Sequence, residues 1–167
     1  MTKNQHNYET ISKYLDYNPD TGVITWKIQR SNRKKAGDIA GVIDSNGYRR
    51  IKFSPKLYLA HRVAWLLYYK EWPQNLIDHI NLDVSDNRIL NLREATQSQN
   101  MMNCTKYKTN TSGIKGVTYN KKRKKWRCYL SLNGVRFQKG EFKTKEEAEV
   151  FINDWRKQIH KEYSRQY

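Results

Sequence analysis

The chain has 167 residues, with 32 Lys and Arg against 16 Asp and Glu, and a formal net charge of +16; that length suits one large domain or two small ones, and that charge favours polyanionic partners, nucleic acid foremost. No apolar run approaches the ~20 residues a membrane-spanning helix needs, and the polar stretch from Met1 to Glu9 offers no signal peptide. The cysteines, Cys104 and Cys128, form no Cys-x-x-Cys pair, which excludes a disulfide framework and a cysteine-ligated zinc knuckle.

These exclusions point to a soluble, intracellular protein whose metal, if it has one, uses oxygen and imidazole ligands. Neither a basic amphipathic helix nor a lipidation signal accompanies the charge, so a membrane is not the expected partner. The first segment, Tyr14 to Phe53, alternates turn signals with β-prone runs. Asn18-Pro19-Asp20-Thr21-Gly22 reads as a turn before Val23-Ile24-Thr25-Trp26, and Asn46-Gly47 leads into Tyr48 to Phe53. Small antiparallel β structure is expected. From His61 to Trp72, Val63, Ala64, Leu66 and Leu67 recur at helical spacing, and Pro73 would close that helix.

After Pro73 the chain turns polar. Ile77-Asp78-His79-Ile80 reads as a short strand, and the Asp/Asn/Ser-rich stretch Asn81 to Asn87 as a loop, with a second strand to follow. Thr96 and Gln99 fit a capping box that opens a helix through Asn100. Residues 103–112 turn to Lys, Thr, Asn, Ser and Gly and are expected to be a linker between domains 1–102 and 113–167.

The remainder reads as three strands and a helix. Val117 to Tyr119 precedes a basic turn; Trp126 to Leu132 alternates; Asn133-Gly134 is a favoured hairpin turn; and Val135 to Phe142 completes the sheet. Trp126, Cys128, Leu130 and Leu132 would share one face. Thr144 and Glu147 form a second capping box, and Ala148, Phe151, Ile152, Trp155 and Ile159 make the apolar stripe that would cover that face. Between Ala95 and Gly140 there is no acidic residue but eleven basic ones, five of them consecutive from Lys121 to Lys125. Phosphate neutralisation by such a segment predicts steeply salt-dependent binding.

The chemistry is concentrated at Asp78-His79, with Asn91 twelve and Asn100 twenty-one residues beyond His79. Cutting a phosphodiester needs a base for the attacking water and a cation to stabilise charge on the phosphate and the leaving oxygen. An imidazole beside a hard-metal site supplies both, and Asp78 and the side-chain oxygen of Asn100 are suitable Mg2+ ligands.

The stretch from Leu59-Ala60-His61-Arg62 through Ile77-Asp78-His79-Ile80-Asn81, Asp86-Asn87-Arg88 and Asn91-Leu92-Arg93-Glu94-Ala95-Thr96 to Gln99-Asn100 resembles the HNH endonucleases of phages and mobile elements. The upstream Asp16 to Gly22 and Trp26 extend the resemblance over roughly the first hundred positions. It implies a ββα-metal (His-Me) finger at about 73–102, with His79 as general base and with Asp78 and Asn100 holding one divalent ion, Mg2+ or Mn2+. Asn91 would be the middle Asn, fixing the loop or orienting His79. Asn100 departs from the family name, standing where the third position has His. His61 is read as structural.

Gly113-Ile114-Lys115-Gly116-Val117, Trp126, Gly140-Glu141-Phe142 and Thr144 to Ala148 resemble, more distantly, the plant APETALA/ethylene-response DNA-binding domain found fused to some phage HNH enzymes. The resemblance implies a sheet lying in the major groove. By strand alternation Lys115, Asn120, Arg127, Tyr129, Arg136 and Gln138 would face DNA, and Lys121, Lys122 and Arg123 would contact it from the basic turn. The exposed tryptophan of the plant domains is missing from this face, so their target sequence does not carry over.

The expected fold class is thus α+β, with a small β-rich N-terminal region, the finger, and a three-stranded antiparallel sheet on one helix. The expected function is a metal-dependent endonuclease of double-stranded DNA, a free-standing homing-type enzyme in the cytoplasm of a bacterial host if phage-encoded, with no protein partner implied. Two alternatives use the same residues: a noncatalytic DNA-binding regulator, and an RNA-binding module whose aromatic rings stack unpaired bases.

Overall fold

A computed structural model describes residues 6–103, 110–132 and 134–160. Its architecture is α+β. The contacts divide it into two units, Met1–Ala95 and Thr96–Tyr167, each with its own apolar core.

The first unit opens with a short helix that the sequence pattern did not announce, α1 (Tyr8–Ser12), capped by Asn7, whose Oδ1 accepts from the Thr10 amide at 3.0 Å. Strands β1 (Leu15–Tyr17) and β2 (Ile24–Trp26) pair antiparallel with Leu15 opposite Trp26. Their connection is the expected turn: Asn18 Oδ1 accepts from the amides of Asp20 and Thr21 at 3.0 and 3.1 Å. β3 (Val42–Ile43), β4 (Arg49–Phe53) and β5 (Lys56–Leu59) form a three-stranded antiparallel sheet in that order. β5 runs directly into α2 (Ala60–Tyr69), whose Val63, Ala64 and Leu66 join Ile11, Leu15, Ile24 and Ile51 in the core. Burying side chains of this size contributes about 1.5–3 kcal/mol each. The helix stops at Tyr69, short of the expected Trp72, because Lys70 takes a left-handed φ of 63° and its N–H closes on Leu66 O. β6 (Leu76–His79) and β7 (Leu92–Ala95) make an antiparallel pair, reached through the loop from Ile80 and a 3-10 turn at Ile89–Asn91.

The second unit begins with α3 (Gln97–Asn103). Its capping box forms as expected: Gln99 N donates to Thr96 Oγ1 at 3.3 Å, and Thr96 N donates to Gln99 Oε1 at 2.7 Å. Most of the expected linker lies outside the described residues, but at its end Asn110 Oδ1 accepts from Ser112 Oγ and the Gly113 amide, a local turn. β8 (Val117–Asn120), β9 (Lys125–Leu132) and β10 (Val135–Phe142) form a sheet of order β10-β9-β8. Leu132 pairs with Val135 across the expected hairpin turn, of which Asn133 is outside the described residues. α4 (Lys145–His160) starts at the second capping box and packs Ala148, Ile152 and Trp155 onto Val117, Cys128 and Leu130. Ile159, counted in the stripe from its spacing, is exposed instead.

Candidate active site

Successive side chains of β6 alternate between two faces. Ile77 and His79 point toward the first unit's core, and Asp78 points the other way. Asp78 is only 4% exposed and His79 5%. The Asp78 carboxylate meets Arg93, its register partner on β7, whose Nε and Nη2 both donate to Oδ2, at 2.9 and 2.8 Å. A carboxylate this far from water needs such a charge-assisted partner.

His79 is held at a nitrogen and across its ring. Its Nε2 lies 3.2 Å from Oδ1 of Asn87, itself buried. Asn87 Nδ2 donates to Ser85 O at 3.3 Å, so the amide oxygen is the end that meets the imidazole. The ring of His61 stands edge-on to that of His79, centroids 5.0 Å apart at 86°, and Tyr48 lies 5.7 Å from the first ring and 6.2 Å from the second. Burial, with smaller contributions from His79 and Arg62, holds the His61 imidazole down at a pKa of about 3.

Asn87 was not among the expected site residues. Its support comes from far upstream: Tyr17 OH donates to Asn87 O at 2.8 Å, and Ile89 N donates to Pro19 O at 3.1 Å. Burial is the main cause that raises the Tyr17 phenol, which keeps it a donor. Gly22, at φ +73°, is packed so closely that a Cβ there would sit 2.5 Å from Arg88 N. Asn91 is bonded into the loop after His79. Its Oδ1 accepts from Asn81 N at 3.0 Å and its Nδ2 donates to Asp86 O at 2.8 Å, which pins the loop that follows His79. Asp86 is locked in turn by Arg88, whose hydrogen bonds hold its carboxyl at a pKa of about 2. Asn100 is on α3 of the second unit, half-buried, with its backbone N–H on Thr96 O at 2.9 Å.

On the second sheet, the face opposite the core carries Arg127, Tyr129 and Ser131 of β9, with Arg136 and Gln138 of β10 opposite Ser131 and Tyr129. Arg136 and Gln138 are exposed, and the Arg136 guanidinium lies over the Tyr129 ring at 4.0 Å. Lys121, Lys122 and Arg123 are exposed on the turn between β8 and β9. Four side chains expected to reach for DNA, Arg123 among them, are engaged within the protein. Lys115 Nζ donates to the carbonyls of Met101 and Met102 at 3.0 and 2.9 Å. Asn120 Oδ1 accepts from the Arg123 amide at 3.1 Å, which makes it a turn residue. Arg127 pairs with Glu141 at 2.8 Å, and Arg123 reaches the same carboxylate oxygen at 3.0 Å. Those guanidiniums hold the Glu141 carboxyl below its usual range.

The family described as HNH endonuclease matches residues 58–102, from β5 to α3, the stretch that contains His61, Asp78, His79, Asn87, Asn91 and Asn100. Protein 3.8 of Escherichia phage T7 is 32% identical over 91 residues, which make up 53% of this chain and 73% of that protein. The chain belongs to the HNH endonuclease family. Its HNH domain makes it a DNA-hydrolysing enzyme, and the reading as a noncatalytic regulator falls with that match. A solved structure concerned with DNA binding and cleavage by the HNH homing endonuclease I-HmuI is similar over 80% of this chain and 76% of that one, at 19% identity and a TM-score of 0.45.

The donors of the HNH domain suit a hard divalent cation. Asp78 offers a buried carboxylate on the opposite face of β6 from His79, paired with Arg93, and the described residues bring no three His, Cys, Asp or Glu side chains together to enclose an ion. A partial set of protein oxygens is what Mg2+ ordinarily takes, the rest of its shell being water and substrate phosphate. Among the described residues, no helix is long and apolar enough to cross a membrane.

Proposed function

We propose that this HNH enzyme is a metal-dependent endonuclease of duplex DNA in which His79 is the general base. The observation that carries this reading is the buried imidazole whose Nε2 is committed to Asn87, one residue from the buried Asp78 carboxylate. A buried imidazole held in place next to an acidic residue in the chain is suited to take a proton from the water that attacks phosphorus, and such positioning is what makes proton transfer efficient. Asp78 and Asn100 hold the ion, as the resemblance implies. When bound, the ion supplies charge stabilisation at the phosphate and at the leaving oxygen. Asn91 keeps the loop after His79 in place. The second unit is the DNA-binding module, of the APETALA/ethylene-response type. Arg136 and Gln138 read base edges from the exposed face, and Lys121, Lys122 and Arg123 hold phosphates. The phage relative supports action inside a bacterial host, and the resemblance to mobile-element enzymes supports a homing role.

The test is cleavage of a supercoiled plasmid carrying the DNA that flanks the gene's own locus, run with Mg2+, with Mn2+ and with a chelator. Cutting that needs the divalent ion and disappears in Asp78→Ala is expected. Equal cutting in the chelator removes the metal from the reading. Preference for single-stranded RNA over the duplex in competition removes DNA as the substrate.

A further inference from the structure

We propose that Glu141 restrains sequence-independent DNA binding by the second unit: its carboxylate holds the Arg123 and Arg127 guanidiniums, which a phosphate must win from it. The proposal rests on the reading of this unit as the DNA-binding module. Between Ala95 and Gly140 the chain carries eleven basic residues and no acidic one, so Glu141 is the first carboxylate that follows the basic segment. Its Oε1 accepts from Arg127 Nη2 at 2.8 Å and from Arg123 Nη1 at 3.0 Å, and Lys125 Nζ stands 4.0 Å from Oε2. Cations of the basic turn and of β9 thus converge on one side chain.

The backbone puts the carboxylate there. The register of β10 on β9 shifts between Lys139 and Phe142, an irregularity of the kind that re-aims a side chain. Gly140 sits at φ +71°, where a Cβ would run into the Phe142 ring; Phe142 packs against the core of the unit, and Glu141 meets Arg127 on the opposite face. Arg127 is drawn in with one donor unsatisfied: its Nε is buried and finds no acceptor among the described residues, so the carboxylate holds a pose that the guanidinium does not otherwise complete. A carboxylate on a face that meets DNA is repelled by every phosphate, whatever the sequence. It also takes two guanidiniums out of the count of cations that release counterions. Both effects lower affinity for any duplex, so base contacts carry a larger share of what remains. The Arg123 pair is weak enough for a phosphate to displace, with side-chain exposures of 65% for Arg123 and 29% for Glu141.

The test uses the full-length chain and a duplex of random sequence with a chelator present; affinity is measured over a series of salt concentrations, with thermal melts alongside. Glu141→Gln keeps the shape and removes the charge. It is expected to bind the duplex about threefold or more tighter in ~50 mM salt, with a salt slope steeper by about 1. Glu141→Ala, which removes the acceptor as well, is expected to do the same. Glu149→Gln removes an equal charge from an exposed position on α4, the helix that covers the core face of the sheet, and is expected to tighten binding far less. Folded Glu141 variants that bind no tighter than the parent, or with the parent's slope, overturn the proposal. So does an equal gain in Glu149→Gln, since net charge and not the pairing would then set affinity. Lys122→Ala, run in parallel, separates this from the underlying assignment: unmoved affinity and slope there sink the assignment of the basic turn to phosphates, and the restraint with it, while a weakened Lys122→Ala beside a Glu141→Gln no tighter than the parent sinks only the restraint.

Discussion

The two units use polar side chains in opposite ways. Residues 1–95 carry 15 Lys and Arg against 10 Asp and Glu, and the polar groups of the HNH site are buried and bonded to one another. Residues 96–167 carry 17 against 6, and most of the polar groups of the sheet face are exposed. A buried polar group is costly unless paired, so in the first unit each partner is specific and its loss is felt at once. Exposed cations share their work and are individually replaceable. Under the proposed function, chemistry falls to the first arrangement and affinity to the second.

The comparison breaks most visibly at His79. His79→Ala is expected to slow cleavage by about a hundredfold or more while DNA affinity, assigned by the proposal to the other unit, barely changes; matched single-turnover rates and binding isotherms check both halves. The next effect is on stability. Arg93→Ala leaves Asp78 buried without its guanidinium and is expected to cost about 3 kcal/mol in denaturant unfolding, the lower end of what breaking a buried pair costs, since Arg93 keeps 18% side-chain exposure. A loss under ~0.5 kcal/mol, the range of ordinary surface substitutions, would show that the pair is not the anchor of that strand.

Smaller effects separate the two roles within the sheet face. Arg136→Ala is expected to cut discrimination between target and non-target duplexes by about 1–3 kcal/mol, whereas Lys122→Ala should weaken all sequences alike and reduce the salt slope by about 1. Uniform losses for both make Arg136 a phosphate contact. A further effect is a pH dependence. The folded pKa of His61, about 3, lies below its unfolded value near ~6.5, so the unfolded chain binds the extra proton between those limits. The contribution is fully present above the upper limit and is lost progressively as pH falls through the window. His61→Phe should flatten that part of the stability profile; an unchanged acid limb would show that other groups set it.

The elements set by neighbours in sequence were legible. The Asn18 turn, both capping boxes, the strand carrying Asp78 and His79 and the period-two face of Trp126 to Leu132 all rest on residues within a few positions of one another. What escaped was set across the chain. Asn87 reads locally as one more loop asparagine, and its importance comes from His79 on one side and Tyr17, seventy positions away, on the other. His61 looked like a helix-opening residue until β6 was laid beside α2. Arg127 sits at a strand position whose alternation points outward, but Glu141 on the neighbouring strand draws it in. The end of α2 was misplaced because Pro73 is a visible stop, and the left-handed turn at Lys70 carries no glycine to signal it.

The close approach of Gly22 to Asn87 and Arg88 bears on how such an enzyme is inherited. The HNH match begins at residue 58, yet the backing of the loop that steadies His79 comes from the turn at residues 18–22 and from Tyr17. A recombination that carried only the matched stretch into a new gene would deliver the His79 loop without the turn that packs against it. The structural unit is therefore longer than the motif by which it is found, and an upstream turn grafted at that point would need a glycine to avoid the Asn87–Arg88 backbone.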